Sequence, residues 1–456
     1  MTIDEAVRRS HILHRALDRT PLNVASGSGI SFTLNSGKEI IDAASGPSVA
    51  CLGHNQPEVT KAILDHLNNN IAYAYSGSFF TNDASEELAS LLLTHQPGGL
   101  SKAIFVNSGS EATDAALKLA VQYWHEKGEK KRTHFIARRQ SYHGNTIGAL
   151  CVSGHDSRRE FYKDFMSSNV SFVDPCYAYR LKERNERDEQ YAQRLAQQVE
   201  DEILRVGPEH VAGFIAETVS GTTLGCVPAV PGYFSKIRDI CDKYGVLLIL
   251  DEIMCGMGKT GTMHAWEQEA GFRGPDIQTI GKALGGGFVP LSGVLLHKKI
   301  FEALSNGSKV LVHGHTFQAH PLACAAAVAV QKIIKRDNLL ENVKQQGVLM
   351  EQLLKDKIAP LPFVGDVRGR GLFWAVEFVR DRGKRVPFSP EDKFCETVVD
   401  KALELGLAIL GNLGRTGEHY VDLAILSPPY IVRSDEIHRI VDLLAQAIES
   451  TSANFL

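Results

Sequence analysis

Long apolar runs alternate with stretches of helical periodicity through the middle of the chain. The clearest run is VLLIL at residues 246–250, and an unbroken apolar stretch of this length is typical of a parallel strand covered on both faces. Residues 233–244, directly before it, carry apolar side chains at the three- and four-residue spacing of a helix. The alternation continues from about residue 101 to residue 331 and predicts a mostly parallel sheet flanked by helices.

The same pattern divides the chain into a central α/β part and two flanking parts. The central part has predicted strands at 103–107, 134–137, 170–173, 211–216, 246–250, 277–280 and 293–296, with helices at 111–125, 191–206 and 233–244. Before it, we predict a short helix, a hairpin over 29–42 and a helix at 56–68. After it, we predict helices at 322–334, 339–356, 391–405 and 435–449 and strands at 373–378, 407–410 and 423–426, typical of a smaller α+β domain.

Composition narrows the class of protein. A chain of 456 residues with 44% hydrophobic and 22% charged residues is typical of a globular enzyme of about two domains. Its net charge of −4 does not favour nucleic acid or an anionic membrane as a partner. The eight scattered cysteines form no metal-binding spacing and suggest free thiols in a reducing compartment. Without a secretory leader or a membrane-spanning run, we expect a cytoplasmic location and no metal.

Two residues at predicted strand ends suggest the chemistry. Asp251 follows the strand at 246–250, and Lys282 follows the strand at 277–280, beside the glycines at 285–287. The carboxyl ends of the strands of an open α/β sheet form its ligand-binding edge. Alone, Asp251 could bind a metal or cap a helix, and Lys282 could cap a turn. Together they suggest pyridoxal phosphate (PLP), which needs a lysine for its aldehyde and an acid opposite its pyridinium nitrogen.

Two loops between a strand and the next helix add candidate cofactor contacts. NSGSEA at 107–112 could bind a phosphate at a helix N-terminus, although Ser108 or Ser110 could equally be an ordinary helix cap. Tyr142-His143-Gly144 follows another strand, where an aromatic ring could stack on a cofactor or could simply belong to the core. Neither loop is decisive by itself.

With these stretches, the sequence resembles the class III (subgroup II) aminotransferases of PLP fold type I. The resemblance extends from about Arg15 to the last predicted helix. It implies an α/β large domain with a seven-stranded, mostly parallel sheet at residues 55–331. It also implies a smaller α+β domain built from both termini, residues 1–54 and 332–456.

The resemblance further implies a PLP site shared between two subunits. Lys282 would hold PLP as a Schiff base and act as acid and base, while Asp251 would pair with the pyridine nitrogen. Thr316 would reach the phosphate of the partner subunit's cofactor, so a homodimer is expected. Lys259 departs from the arginine that relatives usually carry. The remaining implied contacts are those of the phosphate, the ring faces and the ring hydroxyl: Ser108, Gly109, Ser110, Tyr142, His143, Gly144, Glu217 and Ile253.

The residues near the C-terminus point to the substrate. Relatives that bind α-carboxylates carry an arginine just before Pro428-Pro429, and here Ser427 stands in its place. The ω-aminotransferase branch instead uses a mobile arginine, for which Arg415 is the candidate, and Phe80 is a second candidate substrate contact. We therefore expect ping-pong transfer of an amino group from a primary amine or ω-amino acid to an oxo acid such as pyruvate.

Other functions remain open at this point. An acetylornithine-type aminotransferase, a decarboxylating transaminase or an aminomutase would share the same cofactor residues, because the substrate pocket decides which bond breaks. A non-enzymatic binding protein on this fold is a further alternative. A nucleotide-dependent enzyme is suggested by Gly258-Lys259-Thr260, but Ile253 stands where a phosphate-binding P-loop needs its first glycine.

Overall fold

The computed structural model of the protein describes residues 4–412, 416–417 and 420–456. Its helices are α1 Glu5–Arg9, α2 Ser45–Ser48, α3 Pro57–Asn69, α4 Asp83–Leu93, α5 Gly109–Glu126, α6 Ile147–Val152, α7 Asp156–Arg159, α8 Ala178–Leu181, α9 Asp188–Val206, α10 Tyr233–Tyr244, α11 Lys298–Asn306, α12 Pro321–Arg336, α13 Leu339–Leu353, α14 Phe394–Glu404 and α15 Ser434–Ser452. Its strands are β1 Val24–Ser28, β2 Ser31–Leu34, β3 Glu39–Asp42, β4 Leu100–Val106, β5 His134–Arg138, β6 Val170–Val173, β7 Val211–Glu217, β8 Val219–Ser220, β9 Val227–Pro228, β10 Leu247–Asp251, β11 Ile277–Ile280, β12 Ser292–His297, β13 Val364–Arg370, β14 Phe373–Phe378, β15 Leu407–Ala408, β16 Leu410–Asn412 and β17 Asp422–Leu426.

The centre of the molecule is a seven-stranded sheet in the order β4-β12-β11-β10-β7-β5-β6. Strand β12 runs antiparallel to both of its neighbours, and the other adjacent pairs are parallel. The predicted seven-stranded, mostly parallel sheet is therefore confirmed. Register places Asp251, the last residue of β10, beside Glu217 on β7 and Thr279 on β11.

Residues 247–250 of the central strand β10 are all apolar because helices cover both faces of the sheet. Leu248 and Leu250 of β10 belong to one buried cluster, together with residues of α9 and α10. Leu247 and Ile249 belong to another cluster, together with residues of α5. Alternate residues of a strand point to opposite faces, so the consecutive apolar residues of β10 pack against both helix layers.

Two further sheets are built from the flanking parts of the chain. One has the order β1-β2-β3-β15, and β15 pairs in parallel with β3, so it joins residues 41–42 to residues 407–408. The other has the order β13-β14-β17-β16. The predicted strand at 407–410 is thus two short strands in different sheets, interrupted at Ile409. The domain limits at residues 54 and 331 stay a prediction.

The flanking sheets pack with α3, α4, α12, α13, α14 and α15 in the largest buried cluster of the molecule. Helices α4 and α11 and strand β13 were not predicted. Within the described ranges, no helix is both long and apolar enough to cross a membrane.

Candidate active site

A cavity of about 170 Å³ lies where β4, β5, β7, β10 and β11 end. This is the carboxyl edge of the parallel strands, the usual ligand site of an open α/β sheet. The cavity brings together most of the site residues predicted from the sequence. Its lining residues are Gly109, Ser110, Tyr142, His143, Gly144, Glu217, Val219, Thr222, Asp251, Ile253, Met254, Cys255, Lys282 and Ser292.

Lys282 enters this cavity from a tight turn directly after β11. The turn Lys282–Leu284 is a 3₁₀ helix, and Lys282 adopts a left-handed backbone conformation with φ of 45°. Positive φ is uncommon for residues other than glycine and often marks a functional position. Burial lowers the pKa of Lys282, against the opposing effects of Asp251 and Glu217. A lysine whose amine is partly freed of its proton is a better nucleophile.

The carboxylate of Asp251 is fixed in orientation by three donors. Its Oδ2 lies 2.7 Å from Nδ1 of His143, and its Oδ1 accepts from the backbone N–H of Ile253 at 3.0 Å and the hydroxyl of Thr279 at 3.1 Å. Since a carboxylate accepts from His143 Nδ1–H, the other ring nitrogen, Nε2, is left without a partner in a fully buried ring. A polar atom left unpaired in a cavity wall is available to a ligand.

Glu217 presents a second buried carboxyl group to the cavity. Its Oε1 accepts from the backbone N–H of Gly221 at 2.9 Å, and its Oε2 has no partner. Burial raises the pKa of Glu217 above its usual value, while His143 and Arg138 oppose that shift. Position and chemistry therefore allow Glu217 to donate or accept a hydrogen bond inside the cavity.

The loop after β4 forms one end of the cavity at the start of α5. Ser108 is the N-cap of this helix, and its hydroxyl accepts from the N–H of Glu111 at 3.2 Å. Ser108 is not part of the cavity lining, whereas the next residues, Gly109 and Ser110, are. A Cβ at Gly109 would come within 3.0 Å of the side chain of Ile253, so glycine favours the close approach of the two loops. Free N–H groups at a helix start favour an anion here.

Thr316 and Phe80, two of the predicted site residues, do not line the cavity. Thr316 is exposed and away from the cavity, with its carbonyl oxygen accepting from the hydroxyl of Tyr73 at 2.9 Å. Phe80 is 67% exposed. Arg415 lies outside the described residues. The roles implied for Thr316 and Phe80 stay predictions, because a single chain does not test contacts with a second one.

Several lining residues were not predicted. Thr222 belongs to the loop between β8 and β9, and its carbonyl oxygen accepts from the side chain of Asn412 at 2.6 Å. Ser292 is the first residue of the antiparallel strand β12. Met254 and Cys255 extend the turn that contains Asp251 and Ile253, so their proximity to that pair in sequence could have indicated them.

Comparison with known proteins identifies similar chains over almost the full length. The sequence model described as aminotransferase class-III matches residues 12–448. An uncharacterized aminotransferase of Schizosaccharomyces pombe is 43% identical over 99% of this chain and 97% of its own length. The chloroplastic gamma aminobutyrate transaminase 3 of Solanum lycopersicum is 32% identical over 95% of this chain and 82% of its own length. Among solved structures, the omega transaminase of Pseudomonas jessenii in complex with PMP is 30% identical, with a TM-score of 0.92 over 99% of each chain.

Proposed function

The chain belongs to the class-III aminotransferases, and from that premise we propose that it moves an amino group from a primary amine or ω-amino acid to an oxo acid such as pyruvate. The reaction would be ping-pong, with both substrates using the same cavity in turn. The observation that carries the proposal is the desolvated amine of Lys282, which shares one cavity with the carboxyl groups of Asp251 and Glu217. Membership of this enzyme family argues against a non-enzymatic binding protein and against a nucleotide-dependent enzyme.

The residues of the cavity fit PLP. Lys282 supplies an amine for its aldehyde, and Asp251 supplies an oriented carboxylate for its pyridine nitrogen. The unpaired Nε2 of His143 and Oε2 of Glu217 are polar atoms that a polar ligand would satisfy. The start of α5 offers N–H groups for a phosphate. The similar omega transaminase of Pseudomonas jessenii, in complex with PMP, supports the same assignment.

When bound, PLP supplies an electron sink for the bond that breaks at the amine-bearing carbon. The protein's own contribution is proton handling and orientation. Lys282 anchors the cofactor and, once its amine is free, moves a proton to and from the substrate carbon. Asp251 holds a proton at the pyridine nitrogen, and its three donors keep it aimed there. Tyr142 and Ile253 line the cavity, where they would lie against the bound ring and limit the access of water.

The substrate class is proposed from the neighbours and from the missing arginine before Pro428. Several of the most similar solved structures are omega transaminases. One of the curated relatives is named a gamma aminobutyrate transaminase. Both observations favour the ω-branch over an acetylornithine-type enzyme. A decarboxylating transaminase and an aminomutase remain alternatives within the family, and analysis of the products separates them.

We also propose a homodimer in which Thr316 reaches the partner's cofactor. Large apolar side chains are exposed near Thr316, including Phe317, which is 54% exposed. Its ring lies 5.8 Å from the ring of Tyr73, itself 39% exposed. An exposed apolar patch of this kind is typical of a protein interface.

The eight free cysteines support a reducing compartment such as the cytoplasm.

The proposed role of Lys282 is tested by reduction and mapping. Borohydride treatment of the enzyme with PLP, followed by peptide mapping, should place the pyridoxyl group on Lys282. Lys282→Ala should retain PLP weakly and lose about 10²- to 10⁴-fold in turnover, because the anchor and the proton carrier are removed together. A label on a different lysine, or a Lys282→Ala variant with normal turnover, would contradict the proposal. A spectral screen of amines with the wild-type enzyme then identifies the donors.

A further inference from the structure

The two consecutive arginines at the end of α7 have opposite surroundings. Arg159 donates to three carbonyl oxygens of residues 150–153 at 2.6 to 3.1 Å, which fixes its side chain. Arg158 is half-buried, and its side chain makes one long hydrogen bond, 3.4 Å, to the amide oxygen of Asn145. Among the residues that the structure describes, no carboxylate forms an ion pair with Arg158. Its guanidinium group therefore has donors to spare.

Arg158 lies against the wall of the cavity. Its guanidinium carbon is 4.9 Å from the centre of the ring of Tyr142, which lines the cavity. Asn145, its other contact, directly follows Gly144 of the lining and donates its backbone N–H to the hydroxyl of Ser110 at 3.0 Å. Both contacts of Arg158 thus belong to the loop that forms one side of the cavity.

A second cation acts on the same place. Burial lowers the pKa of Arg158, the Tyr142 hydroxyl opposes that shift, and the positive charge of Arg15 lowers the pKa further. Arg15 is exposed and forms no ion pair within the described part of the chain. Arg158, against the ring of Tyr142 and without an ion-pair partner among the described residues, is therefore able to pair with an anionic ligand, and the charge of Arg15 favours the same sign of ligand.

We propose that Arg158 binds the carboxylate at the far end of a substrate whose amino group faces Lys282. This inference rests on the proposed function and deepens it: the amino donor is an ω-amino acid rather than an uncharged amine. A guanidinium fork pairs with a carboxylate through two charge-assisted hydrogen bonds, and partial burial strengthens the pair. The stack on Tyr142 keeps the fork in place before the substrate arrives.

The test compares two donors of equal chain length, 4-aminobutyrate and butylamine. The variants are Arg158→Gln, Arg158→Lys and the control Arg139→Gln, which removes an exposed arginine that pairs with Asp174 at 2.7 Å. We expect Arg158→Gln to raise the KM for 4-aminobutyrate about 10- to 100-fold. The KM values for butylamine and pyruvate should change less than about threefold. Arg158→Lys keeps the charge without the fork and should give an intermediate KM.

An equilibrium measurement gives a readout that does not depend on turnover. Calorimetric titration with butyrate, which has the carboxylate but no amine, should show about a tenfold or greater loss of affinity in Arg158→Gln. The affinity of Arg139→Gln for butyrate should equal that of the wild type. Thermal unfolding of each variant checks that the fold is intact.

The outcomes separate the inference from the proposed function. An active wild-type enzyme whose affinity for butyrate is unchanged by Arg158→Gln would overturn the anion site and leave the aminotransferase proposal standing. Equal effects on 4-aminobutyrate and butylamine would also overturn it, since Arg158 would then act only by supporting Tyr142. A wild type inactive with every amine, yet binding butyrate through Arg158, would instead overturn the proposed reaction and support the anion site.

Discussion

Lys259 is a buried cation without a carboxylate partner among the described residues. Its Nζ donates to the carbonyl oxygens of Ser427 at 3.3 Å and Pro428 at 3.2 Å and lies 4.8 Å from the centre of the Tyr430 ring. Burial lowers the pKa of Lys259 to about 8. The residue links the turn after β10 to the segment after β17.

The lowered pKa of Lys259 predicts a dependence of stability on pH. Between about pH 8 and its unfolded value of 10.5, the unfolded chain binds more protons at this site than the folded chain, so stability should rise with pH. Lys259→Met removes this contribution, and the difference between wild type and variant should change by roughly 2–3 kcal/mol across that window. Urea unfolding at several pH values measures it. Parallel pH profiles for the two proteins would contradict the shifted pKa.

At the scale of elements, β13 and β14 carry a buried charge cluster. Arg368 of β13 pairs with Glu377 of β14 at 2.6 Å, and Nε of Arg180 donates to the same carboxylate at 2.8 Å. Nε of Arg368 also donates to the carbonyl oxygen of Gly225 at 2.8 Å. The cluster therefore holds the loop between β8 and β9, which contributes Thr222 to the cavity.

Removing Glu377, the carboxylate shared by this cluster, should lower the stability of the protein strongly. Glu377→Ala leaves the guanidinium group of Arg180 without a carboxylate among the described residues and that of Arg368 with Asp366 alone, at 2.8 Å, and we expect a loss of about 3–5 kcal/mol in the free energy of unfolding. The control is Glu341→Ala, which removes a half-exposed acid 3.8 Å from Lys344 and should cost about 0–1 kcal/mol. Chemical denaturation of both variants, side by side, provides the comparison. Similar losses in the two would mean that solvent reaches Glu377.

Elements with a local pattern could be predicted, and those that depend on distant partners could not. The strands at 170–173 and 277–280 were predicted to the residue because their β-branched and aromatic residues favour a strand. Strand β13 has the sequence VGDVRGR, without clear alternation, and forms because β14 pairs with it. Helix α4 was missed although the spacing of Leu88 and Leu92 follows a helix.

The same distinction holds for the site. Asp251 and Lys282 follow strong strand patterns, so their meeting at one edge could be predicted. The position of Thr222 in the cavity lining depends on its hydrogen bond with Asn412, 190 residues later in the chain. No local sequence pattern predicts that contact. Ser108 caps α5, which was one of its two interpretations from the sequence, and its contact with the cofactor stays a prediction.

At the scale of the whole molecule, the proposed dimer can be tested through Phe317. In a homodimer with two-fold symmetry, each interface residue occurs twice, so one substitution changes two side chains of the interface. Phe317→Asp should raise the dimer dissociation constant by about 10²- to 10⁴-fold, since roughly 1.5–3 kcal/mol of apolar burial is lost per side chain. Leu204→Asp, at an exposed leucine of α9, is the control. Light scattering over a concentration series measures both.

The dimer also predicts where the cofactor is held. Thr316→Ala should weaken the retention of PLP without unfolding the chain, and a monomeric Phe317→Asp variant should lose PLP as well. Dialysis followed by absorbance measures retention. A fully active monomer would contradict the shared site.

The antiparallel direction of β12 has a mechanical consequence for Lys282. Because Ile280 pairs with Gly293, the loop that carries Lys282 leaves the sheet and re-enters it on the adjacent strand. The side chain of Gln331, on α12, donates to the carbonyl oxygens of Ala283 at 3.2 Å and Leu284 at 2.8 Å. The loop is therefore clamped at both ends and at its middle. We therefore expect slow, uniform hydrogen exchange of the backbone amides across the loop. The amine of Lys282 then changes position by rotation about the bonds of its own side chain, without movement of the loop.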